Sequence, residues 1–560
     1  MQEGAEPVDR FENEGKQSKM VGCDETVDVI VVGSGAAGVT AALSAQHHGA
    51  RAIVLERSDK LGGTTACSAG GVWIPNNDHM HEVGSSDSRE QALAYLRSLS
   101  LGGMDMNLAE IYLDEGPAVI RFLEADGSLS FNATSLPDYQ PENPGGTFGR
   151  TLTPQLFSAG RLGDLSPTLR PAPSFPVPFC WEDIQHGINL IDPQVFRDRL
   201  SKGLVGGGEA LMAGLIKQAV DKGVEFRRNA RVRRLVIDDG TIVGIEYEGD
   251  KEHPRRIGAR RAVILASGGF EWNKGLVSDH VSGPIEAPLS PPSCEGDGLI
   301  MAMEAQAAIA NTKEAAWMPA ICIPGEEYDG HQLYRLTGGE RANPRSIMVN
   351  RRGRRFVNEA HNYNDVGRAM HNFDEMKFDY PNLPAWIIVD AEFMELYTFA
   401  TRLPSDPIPT WMEAAPTLQN LAEKIGVDPD GLESTVKRYN AHVEEGSDPD
   451  FARGSSSYDL AFGDGSRDGA FQTLGPIDRA PFYACRVYSG VLQTKGGPKV
   501  NARSEILNVR GSPIKGLYAA GSVSAGFTGM AYPGGGGMVG PAIVFGHIAG
   551  RNAAASEPRF

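Results

Sequence analysis

A glycine-rich turn near the N-terminus constrains the fold of this chain more than any other feature. The motif G-S-G-A-A-G occupies residues 33–38, directly after a mostly apolar, β-branched run at 27–32. Residues 36–48 then have helical periodicity, and a second apolar run, 51–56, ends in Glu56. Short β-branched runs of this kind are typical of buried parallel strands. The order of strand, turn, helix and strand therefore predicts a βαβ unit with an acidic residue after its second strand.

The residue types in this unit suit the binding of a dinucleotide. Gly33 permits a tight turn, Gly35 lets the backbone approach a pyrophosphate, and Gly38 lets the helix pack closely against the strand. The N–H groups of the first helical turn, together with the helix dipole, would stabilise the phosphate charge. The carboxylate of Glu56 can bind the ribose hydroxyls.

Two further features favour FAD over NAD as the dinucleotide. Small and hydroxyl residues follow Glu56 closely, in the stretch Leu61-Gly-Gly-Thr-Thr-Ala66, and suit contacts with a cofactor that extends past its pyrophosphate. A late apolar run at 517–521 supplies another strand beside the cofactor. Besides the three glycines and Glu56, the residues expected to bind FAD are Ala36, Ala37, Arg57, Gly62, Gly63, Thr64, Thr65, Ser68, Ala69, Gly70, Gly71, Val232, Ala266, Ser267, Gly268, Gly521, Ser522, Gly537, Met538 and Val539.

The charge balance and the apolar runs limit the partners and the location of the protein. With 53 Lys and Arg against 71 Asp and Glu, the chain has a formal net charge of -18. Such a surface repels phosphate, so nucleic acid is not expected as a partner. Residues 1–24 lack the apolar core of a signal peptide, and no apolar run reaches the ~20 residues that a membrane span needs. We therefore expect a cytoplasmic protein without a membrane span.

No metal site is expected. The six cysteines are scattered and form no C-x-x-C pair, which fits reduced thiols in the cytoplasm. His79 and His81 form an H-x-H pair without a third ligand nearby in sequence. We interpret them as solvated loop histidines.

The remaining pattern predicts an α/β chain with nucleotide-type elements at both ends. We expect a discontinuous Rossmann-type FAD-binding domain with an inserted α+β catalytic domain. The predicted division is a flexible leader at 1–24, FAD-binding parts at 25–308 and 486–560, and the catalytic domain at 309–485. Further predictions are helices at 86–98, 108–123, 417–445 and 538–555, antiparallel strands at 224–248, buried strands at 261–266, 385–390 and 517–521, and a long loop at 136–180.

Four further motifs extend the pattern of the glycine turn. They are SAGGVWIPNN at 68–77, LPDYQP at 136–141, SIMVNRRGRRFVNE at 346–359 and GMAYPGGGGMVGPA at 529–542. Together these motifs resemble the succinate dehydrogenase/fumarate reductase flavoprotein superfamily, and most of all its 3-ketosteroid Δ1-dehydrogenase branch. The resemblance implies FAD as cofactor, a steroid as substrate, and a quinone-like or other electron acceptor. A lipid-handling enzyme would be compatible with weak membrane association, although no anchor indicates it.

The resemblance also implies roles for individual residues in a 1,2-dehydrogenation. Tyr363 would be the base that removes the C2 proton, with Tyr139 as its partner, while a hydride leaves C1 for the flavin N5. Tyr532 and the Gly536 N–H would bind the C3 ketone and stabilise a developing enolate oxygen. Because an unperturbed tyrosine has a pKa of about 10, Tyr363 would need a hydrogen bond from Tyr139 to act near neutrality.

Two other functions remain open. A basic cluster could clamp an unsaturated carboxylate, as in a fumarate- or urocanate-reductase-like flavoprotein. We favour a solvated turn instead, because residues 351–355 lie at a hairpin between apolar runs. The second alternative is a flavin electron-transfer subunit without its own substrate, which the large central segment disfavours. The basic cluster comprises Arg341, Arg345, Arg351, Arg352, Arg354 and Arg355.

Overall fold

The computed structural model describes residues 23–181, 183, 192–248 and 254–560. The predicted leader at 1–24 therefore lies outside the described residues, except for Cys23 and Asp24. The described chain has the predicted α/β class and is built around two large β-sheets. One sheet carries the glycine-rich turn, and the other is formed mainly by the centre of the chain.

Strands and helices are interspersed along the described chain. The strands are β1 (Glu25–Val32), β2 (Ala52–Leu55), β3 (Val72–Trp73), β4 (Phe131–Ala133), β5 (Thr151–Pro154), β6 (Phe157–Ser158), β7 (Leu204–Val205), β8 (Glu225–Arg227), β9 (Arg231–Asp238), β10 (Thr241–Glu248), β11 (Arg255–Leu265), β12 (Ala287–Pro288), β13 (Ile309–Ala310), β14 (Ala315–Tyr328), β15 (His331–Leu336), β16 (Ser346–Asn350), β17 (Ala385–Val389), β18 (Glu413–Ala415), β19 (Phe482–Thr494), β20 (Gly497–Pro498), β21 (Glu505–Leu507) and β22 (Pro513–Ala519). The helices are α1 (Ala36–His47), α2 (Gly63–Ala66), α3 (Arg89–Leu99), α4 (Met106–Glu124), α5 (Pro193–Ser201), α6 (Gly207–Asp221), α7 (Lys274–His280), α8 (Asp297–Glu304), α9 (Gly339–Ala342), α10 (Tyr363–Ala369), α11 (Ala391–Leu396), α12 (Leu418–Ile425), α13 (Pro429–Glu444), α14 (Ser457–Ala461) and α15 (Val539–Ala555). Among the described residues, 3₁₀ segments lie at Met80–Val83, Ala159–Thr168, Gly469–Gln472 and Gly521–Val523.

The first sheet has a parallel centre, in the order β21-β22-β11-β1-β2-β8. Strands β22, β11, β1, β2 and β8 run parallel to their neighbours, whereas β21, β10 and β9 are antiparallel additions. Strand β1 is buried from Val27 to Val32, as expected for a central strand covered on both faces. Because β22 comes from the end of the chain, both ends of the sequence contribute to this sheet.

The second sheet, in the order β15-β14-β19-β17-β16, is antiparallel along this path. Strand β12 adds to β19 in parallel, and β18 adds to it antiparallel. The long strand β19 runs from Phe482 to Thr494 and therefore continues across the predicted domain boundary at 485. Its last residues reach the glycine-rich turn, since Gln493 lines the same cleft as Gly33.

Three predicted elements need correction. The stretch 224–248 is antiparallel only in β9 and β10, because the preceding helix α6 returns the chain to the sheet edge, where β8 pairs in parallel with β2. The predicted helix at 417–445 divides into α12 and α13 at Gly426, which has a left-handed φ of +70°. The predicted loop at 136–180 contains β5, which pairs with β3 and β4, and also β6 and a 3₁₀ segment.

Two glycines of the closing helix α15 let it lie directly against α1. A Cβ atom on Gly546 would lie 2.5 Å from the carbonyl oxygen of Ala37, and one on Gly550 would lie 2.1 Å from that of Ala41. Both distances are far below van der Waals contact, so the backbones of the two helices touch without intervening side chains. The same helix follows residues 529–538 directly, so this contact also fixes where that segment lies.

We expect Gly550→Ala to destabilise the protein by about 1–3 kcal/mol, because the added methyl group must push the two helices apart. The measurement is the urea midpoint of unfolding, with Gly465→Ala as the control. A Cβ added at Gly465 would have no heavy atom within 4 Å, and the φ of Gly465 is not in the left-handed region. Equal midpoints for the two variants would contradict the close helix contact.

Among the described residues, no helix is both long enough and apolar enough to cross a bilayer. Cys67, Cys294, Cys322 and Cys485 are free thiols.

Candidate active site

A cleft opens at the carboxyl ends of the parallel strands of the first sheet. In open α/β sheets this edge is where ligands bind. The predicted cofactor residues that line the cleft are Gly33, Gly35, Ala36, Ala37, Glu56, Arg57, Gly63, Thr64, Thr65, Val232, Ala266, Ser267, Gly268, Gly521, Ser522, Met538 and Val539.

The glycines of the turn are required by the space around them. Gly33 has a φ of +107°, and a Cβ on it would lie 2.4 Å from the carbonyl oxygen of Ala266. A Cβ on Gly38 would lie 2.0 Å from the carbonyl oxygen of Gly33, so Gly38 lets the helix pack on the strand. The nearest atom to a Cβ on Gly35 is 3.9 Å away, which leaves its outer face open to a ligand.

The N-terminus of α1 is available to an anion. Its N-cap residue, Gly35, has no side chain to accept a hydrogen bond from the first turn. The Ala36 N–H is 3.3 Å from the Thr65 hydroxyl, and the following N–H groups have no acceptor inside the helix. Unpaired N–H groups and the helix dipole both favour a phosphate at this point.

Glu56 lies at the end of β2 but is already hydrogen-bonded to the protein. One carboxylate oxygen accepts hydrogen bonds from the Ser34 backbone N–H at 3.2 Å and the Ser34 hydroxyl at 2.7 Å. The other accepts from the Ser58 N–H at 2.9 Å. A carboxylate has about four lone-pair sites, so one further acceptor site is left for a ribose hydroxyl.

The remaining predicted cofactor residues lie around the cleft rather than in its lining. Gly70, for example, has a φ of +78° and touches the backbone of Gly207, so it supports the wall. This group comprises Gly38, Gly62, Ser68, Ala69, Gly70, Gly71 and Gly537. The sequence analysis missed several lining residues for which no local motif exists: Ala230, Ser293, Cys294, Asp297 and Gln493. Of these, Gln493 accepts a hydrogen bond from the hydroxyl of Ser522.

Four tyrosine rings meet beside this cleft. The ring of Tyr139 stacks on that of Tyr532, with 5.3 Å between centroids, and meets the Tyr363 ring edge-on at 5.4 Å. Tyr363 and Tyr532 are also edge-to-face, at 5.5 Å. Tyr458, which no sequence motif indicated, contacts Tyr139 at 5.2 Å. Met538, which lines the cleft, packs against the same cluster.

Each tyrosine is brought to the cluster by a different part of the chain. Tyr363 is the first residue of α10, whose N-terminus is capped by the side chain of Asn362. Tyr139 lies in the segment after β4, and its backbone N–H donates to the Pro533 carbonyl at 3.1 Å. The Tyr95 hydroxyl donates to the same carbonyl at 2.6 Å, so the segment that carries Tyr532 is held from two directions.

Gly536 supplies an open backbone N–H near Tyr532. Its φ is +88°, and a Cβ would lie 2.3 Å from the backbone of Gly71, so only glycine fits. Among residues 23–181, 183, 192–248 and 254–560, none accepts a hydrogen bond from this N–H. The group lies just before α15, where the helix dipole adds to its attraction for a negative oxygen.

Burial shifts the pKa values of the tyrosines upward. It raises the pKa of Tyr532 to about 12, so this phenol remains a hydrogen-bond donor over the ordinary pH range. Burial also raises the pKa of Tyr363 well above its usual value, whereas a hydrogen bond from the Tyr139 hydroxyl acts in the opposite direction. Burial also raises the pKa of Tyr139 well above its usual range. Tyr363 in turn donates a hydrogen bond to Tyr532, which lowers the pKa of Tyr532, so each of these two phenols has one neighbour that stabilises its charged form.

The basic cluster is not a solvated turn throughout, and this interpretation needs correction. Arg341, Arg345 and Arg355 are buried, although Arg351 and its neighbours do lie at a turn. Arg355 forms ion pairs with Glu359 and Asp448 at 2.7 and 2.8 Å. Distant carboxylates stabilise the guanidinium groups of Arg345 and Arg355, and local sequence could not reveal such partners.

Arg341 differs from the other two buried arginines of the cluster. Its guanidinium donates to the main-chain carbonyls of Thr337, Glu359 and His361. Within the part of the chain that the structure describes, no carboxylate forms an ion pair with it. Burial lowers the pKa of Arg341, while the charges of Tyr458, Glu340 and Tyr139 act upward. A buried cation without a carboxylate partner is costly and is therefore of functional interest.

Comparison with known proteins identifies the family. Residues 28–539 match the family model described as FAD binding domain. The chain belongs to this flavoprotein family. FAD is its cofactor, and the glycine turn, the open helix N-terminus and Glu56 fit that cofactor.

Relatives of the flavoprotein act on ring ketones. It is 37% identical over 540 residues to 4-oxocyclohexanecarboxylate 2-dehydrogenase of Sinomonas cyclohexanicum, covering 94% of this chain and 93% of the relative. It is 36% identical to 3-oxosteroid 1-dehydrogenase of Mycolicibacterium smegmatis, covering 94% and 97%. The flavoprotein is thus an FAD-dependent oxidoreductase acting on CH–CH bonds.

Its structure also resembles that of a solved relative. The 3-ketosteroid Δ1-dehydrogenase of Sterolibacterium denitrificans, in complex with 1,4-androstadiene-3,17-dione, superposes with a TM-score of 0.89 at 32% identity. The match covers 95% of the flavoprotein and all of the relative. The fold is therefore that of the succinate dehydrogenase/fumarate reductase flavoproteins.

We expect Gly33→Ala to lose bound FAD, because its Cβ would lie 2.4 Å from a main-chain oxygen and force the turn out of place. The ratio of absorbance at 450 nm to that at 280 nm in the purified protein measures the loss. Gly49→Ala is the matched control. Gly49 also has a left-handed φ, but a Cβ added there would have no heavy atom within 4 Å. If both variants kept a full complement of flavin, the role of the Gly33 contact would be disproved.

Proposed function

We propose that this flavoprotein dehydrogenates the C–C bond next to a ring ketone, and that 1,2-dehydrogenation of a 3-ketosteroid is the specific reaction. The observation that carries the proposal is the meeting of Tyr139, Tyr363 and Tyr532 beside the cofactor cleft, with the open N–H of Gly536 close in sequence to Tyr532. This set provides two kinds of group that such a reaction needs, donors for a ketone oxygen and a base for the neighbouring C–H.

Tyr532 and the Gly536 N–H are the proposed donors to the ketone oxygen. As the proton leaves the carbon beside the ketone, negative charge moves onto that oxygen, and two fixed donors stabilise it. Because the pKa of Tyr532 is about 12, the phenol keeps its proton while it does so. Gly536 is held by its contact with Gly71, so its N–H needs little reorganisation.

Tyr363 is the proposed base, assisted by Tyr139. Removal of the C2 proton requires the phenolate of Tyr363, and burial among aromatic rings disfavours that charge. A hydrogen bond from Tyr139 reduces this cost. Bound FAD supplies the acceptor for the hydride that leaves C1.

A single-ring keto acid is the second candidate substrate. The 37% identical relative carries the name of such a dehydrogenase, and a carboxylate on the ring would need a cation. Arg341 is a buried cation without a carboxylate partner among the described residues, and its charge reaches Tyr139 and Tyr458. A fumarate- or urocanate-reductase-like flavoprotein would also bind a carboxylate. An electron-transfer subunit has no substrate of its own, so the tyrosine cluster would have no function in it.

Other properties follow from the steroid proposal. The reduced cofactor would pass its electrons to a quinone-like or other acceptor. The predicted cytoplasmic location, with weak membrane association as an option for an enzyme of lipid degradation, belongs to the same proposal.

Anaerobic mixing of the FAD-loaded protein with a ketone distinguishes the two substrates. We expect a 3-ketosteroid such as 4-androstene-3,17-dione to bleach the absorbance at 450 nm at a higher kcat/KM than 4-oxocyclohexanecarboxylate does. The reverse order would favour the keto acid, and Arg341→Met should then reduce turnover of the acid far more than that of cyclohexanone. If none of these ketones bleaches the flavin, the proposed function is wrong.

The tyrosine roles predict a graded set of losses. We expect Tyr532→Phe to slow bleaching by about 10²–10³-fold, because one of two oxyanion donors is lost. Tyr363→Phe should slow it at least as much, since no base remains, and both variants should retain FAD. Tyr483→Phe, a substitution in the second sheet outside the cluster, is the control. Near-normal bleaching by Tyr363→Phe would refute its role as the base.

A further inference from the structure

A buried cation, Lys495, and a partly buried one, Arg368, hold the main chain immediately before Tyr532. The Nζ of Lys495 donates to the carbonyl of Ala531 at 2.6 Å, and Lys495 is completely buried. Arg368 donates to the carbonyl of Met530 at 3.2 Å. The two peptides that precede the tyrosine are therefore fixed by side chains from other parts of the fold.

The same cations connect this segment to the helix that carries Tyr363. Arg368 lies on α10, five residues after Tyr363, and pairs with the carboxylate of Glu314 at 2.7 Å. The backbone N–H of Lys495 donates to the Glu314 carbonyl at 2.9 Å. Glu314 thus joins the Arg368 guanidinium to the backbone of Lys495, and these residues link the helix of the proposed base to the segment of the proposed ketone donor.

The backbone of Lys495 is itself well anchored. Its carbonyl accepts hydrogen bonds from the Gly526 N–H at 3.0 Å and from the Asn311 side chain at 3.1 Å. Lys495 directly follows β19. It lies two residues after Gln493, which is in the wall of the cofactor cleft. A side chain that starts from such a fixed point can determine where the Ala531 peptide lies.

The amine of Lys495 is poorly compensated. Within the described ranges no carboxylate forms an ion pair with it, and Ala531 is the only acceptor of its hydrogen bonds there. Burial lowers the pKa of Lys495 to about 7; the charges of Glu314 and Asp365 act upward, and that of Arg368 acts downward. The amine can therefore change charge within the working pH range of an ordinary enzyme.

We propose that Lys495 is a positioning residue for the ketone site: its buried amine fixes the Ala531 peptide and thereby sets the position of the Tyr532 phenol. Arg368 supports it through the preceding carbonyl. The inference rests on the proposed function of Tyr532 as the donor to a ketone oxygen. A donor that is misplaced by about 1 Å can cost 10²-fold in rate, so the peptide before Tyr532 is a sensitive point.

The test is a double-mutant cycle with Lys495→Met and Tyr532→Phe. We expect Lys495→Met to slow flavin bleaching by about 10–100-fold in the otherwise wild-type protein. In the Tyr532→Phe background, the same substitution should slow bleaching by less than about twofold, because no phenol remains to be positioned. Lys499→Met, at an exposed lysine four residues further along, should leave the rate unchanged.

Binding of 4-nitrophenol gives a readout that does not depend on turnover. Its phenolate mimics an enolate oxygen, and its absorbance near 400 nm reports ionisation in the site. We expect Lys495→Met to weaken phenolate binding about tenfold, and to have no further effect when Tyr532 is Phe. A charged donor forms a stronger hydrogen bond than a neutral one. The difference between wild type and Lys495→Met should therefore shrink as the pH rises through about 7, the pKa of Lys495.

The outcomes separate this inference from the proposed function. Equal losses from Lys495→Met in both backgrounds would overturn the positioning role, since they would show that Lys495 acts independently of Tyr532. If wild type fails to bleach with any ketone, the proposed function fails, while the nitrophenol cycle still tests the positioning role. Should Lys495→Met not retain FAD, Arg368→Gln provides the cycle, and additivity with Tyr532→Phe would again overturn the inference.

Discussion

Direct contact between main-chain segments, without intervening side chains, is the constraint on which the rest of this structure depends. At Gly33 the turn after β1 touches the end of β11, and at Gly38 the first helix touches that turn. At Gly546 and Gly550 the last helix touches the first one. Since the last helix begins directly after residues 529–538, these contacts fix both the cofactor cleft and the segment that carries Tyr532.

A main-chain carbonyl and a carboxylate then join the segments that carry Tyr139, Tyr363 and Tyr532 by hydrogen bonds. The Pro533 carbonyl accepts from both Tyr95 and the segment of Tyr139. The side chain of Gln140, next to Tyr139, donates to Asp365 on the helix of Tyr363 at 2.5 Å. Carbonyl acceptors suit this purpose because their positions are determined by the fold rather than by a rotamer. The cluster is thus a property of the whole chain and could not form in either half alone.

The difference between local contacts and contacts made by tertiary packing explains what the sequence could and could not predict. The cofactor turn is local, because Gly33, Gly38 and Glu56 act within one βαβ unit, and its spacing carries the full pattern. Tyr458 and Gln493 belong to no motif, and only tertiary packing brings them to the site. The same limit led to the incorrect interpretation of the basic cluster. Arg355 looks solvated in sequence, yet one of its carboxylate partners, Asp448, is 93 residues away.

Burial of this site favours the proposed role of Tyr532 as a hydrogen-bond donor and disfavours the proposed role of Tyr363 as a base. Exclusion of water strengthens any hydrogen bond that Tyr532 donates to a developing negative oxygen, because the local dielectric is low. The same exclusion disfavours a phenolate at Tyr363, and it raises the pKa of both groups. Neighbours act on both groups in the same direction: a hydrogen bond from Tyr139 lowers the pKa of Tyr363, and a hydrogen bond from Tyr363 lowers the pKa of Tyr532. The hydroxyls thus form a chain of hydrogen bonds from Tyr139 through Tyr363 to Tyr532. This chain leaves the Tyr532 hydroxyl hydrogen for a further acceptor, as its proposed role of donor to a ketone oxygen requires.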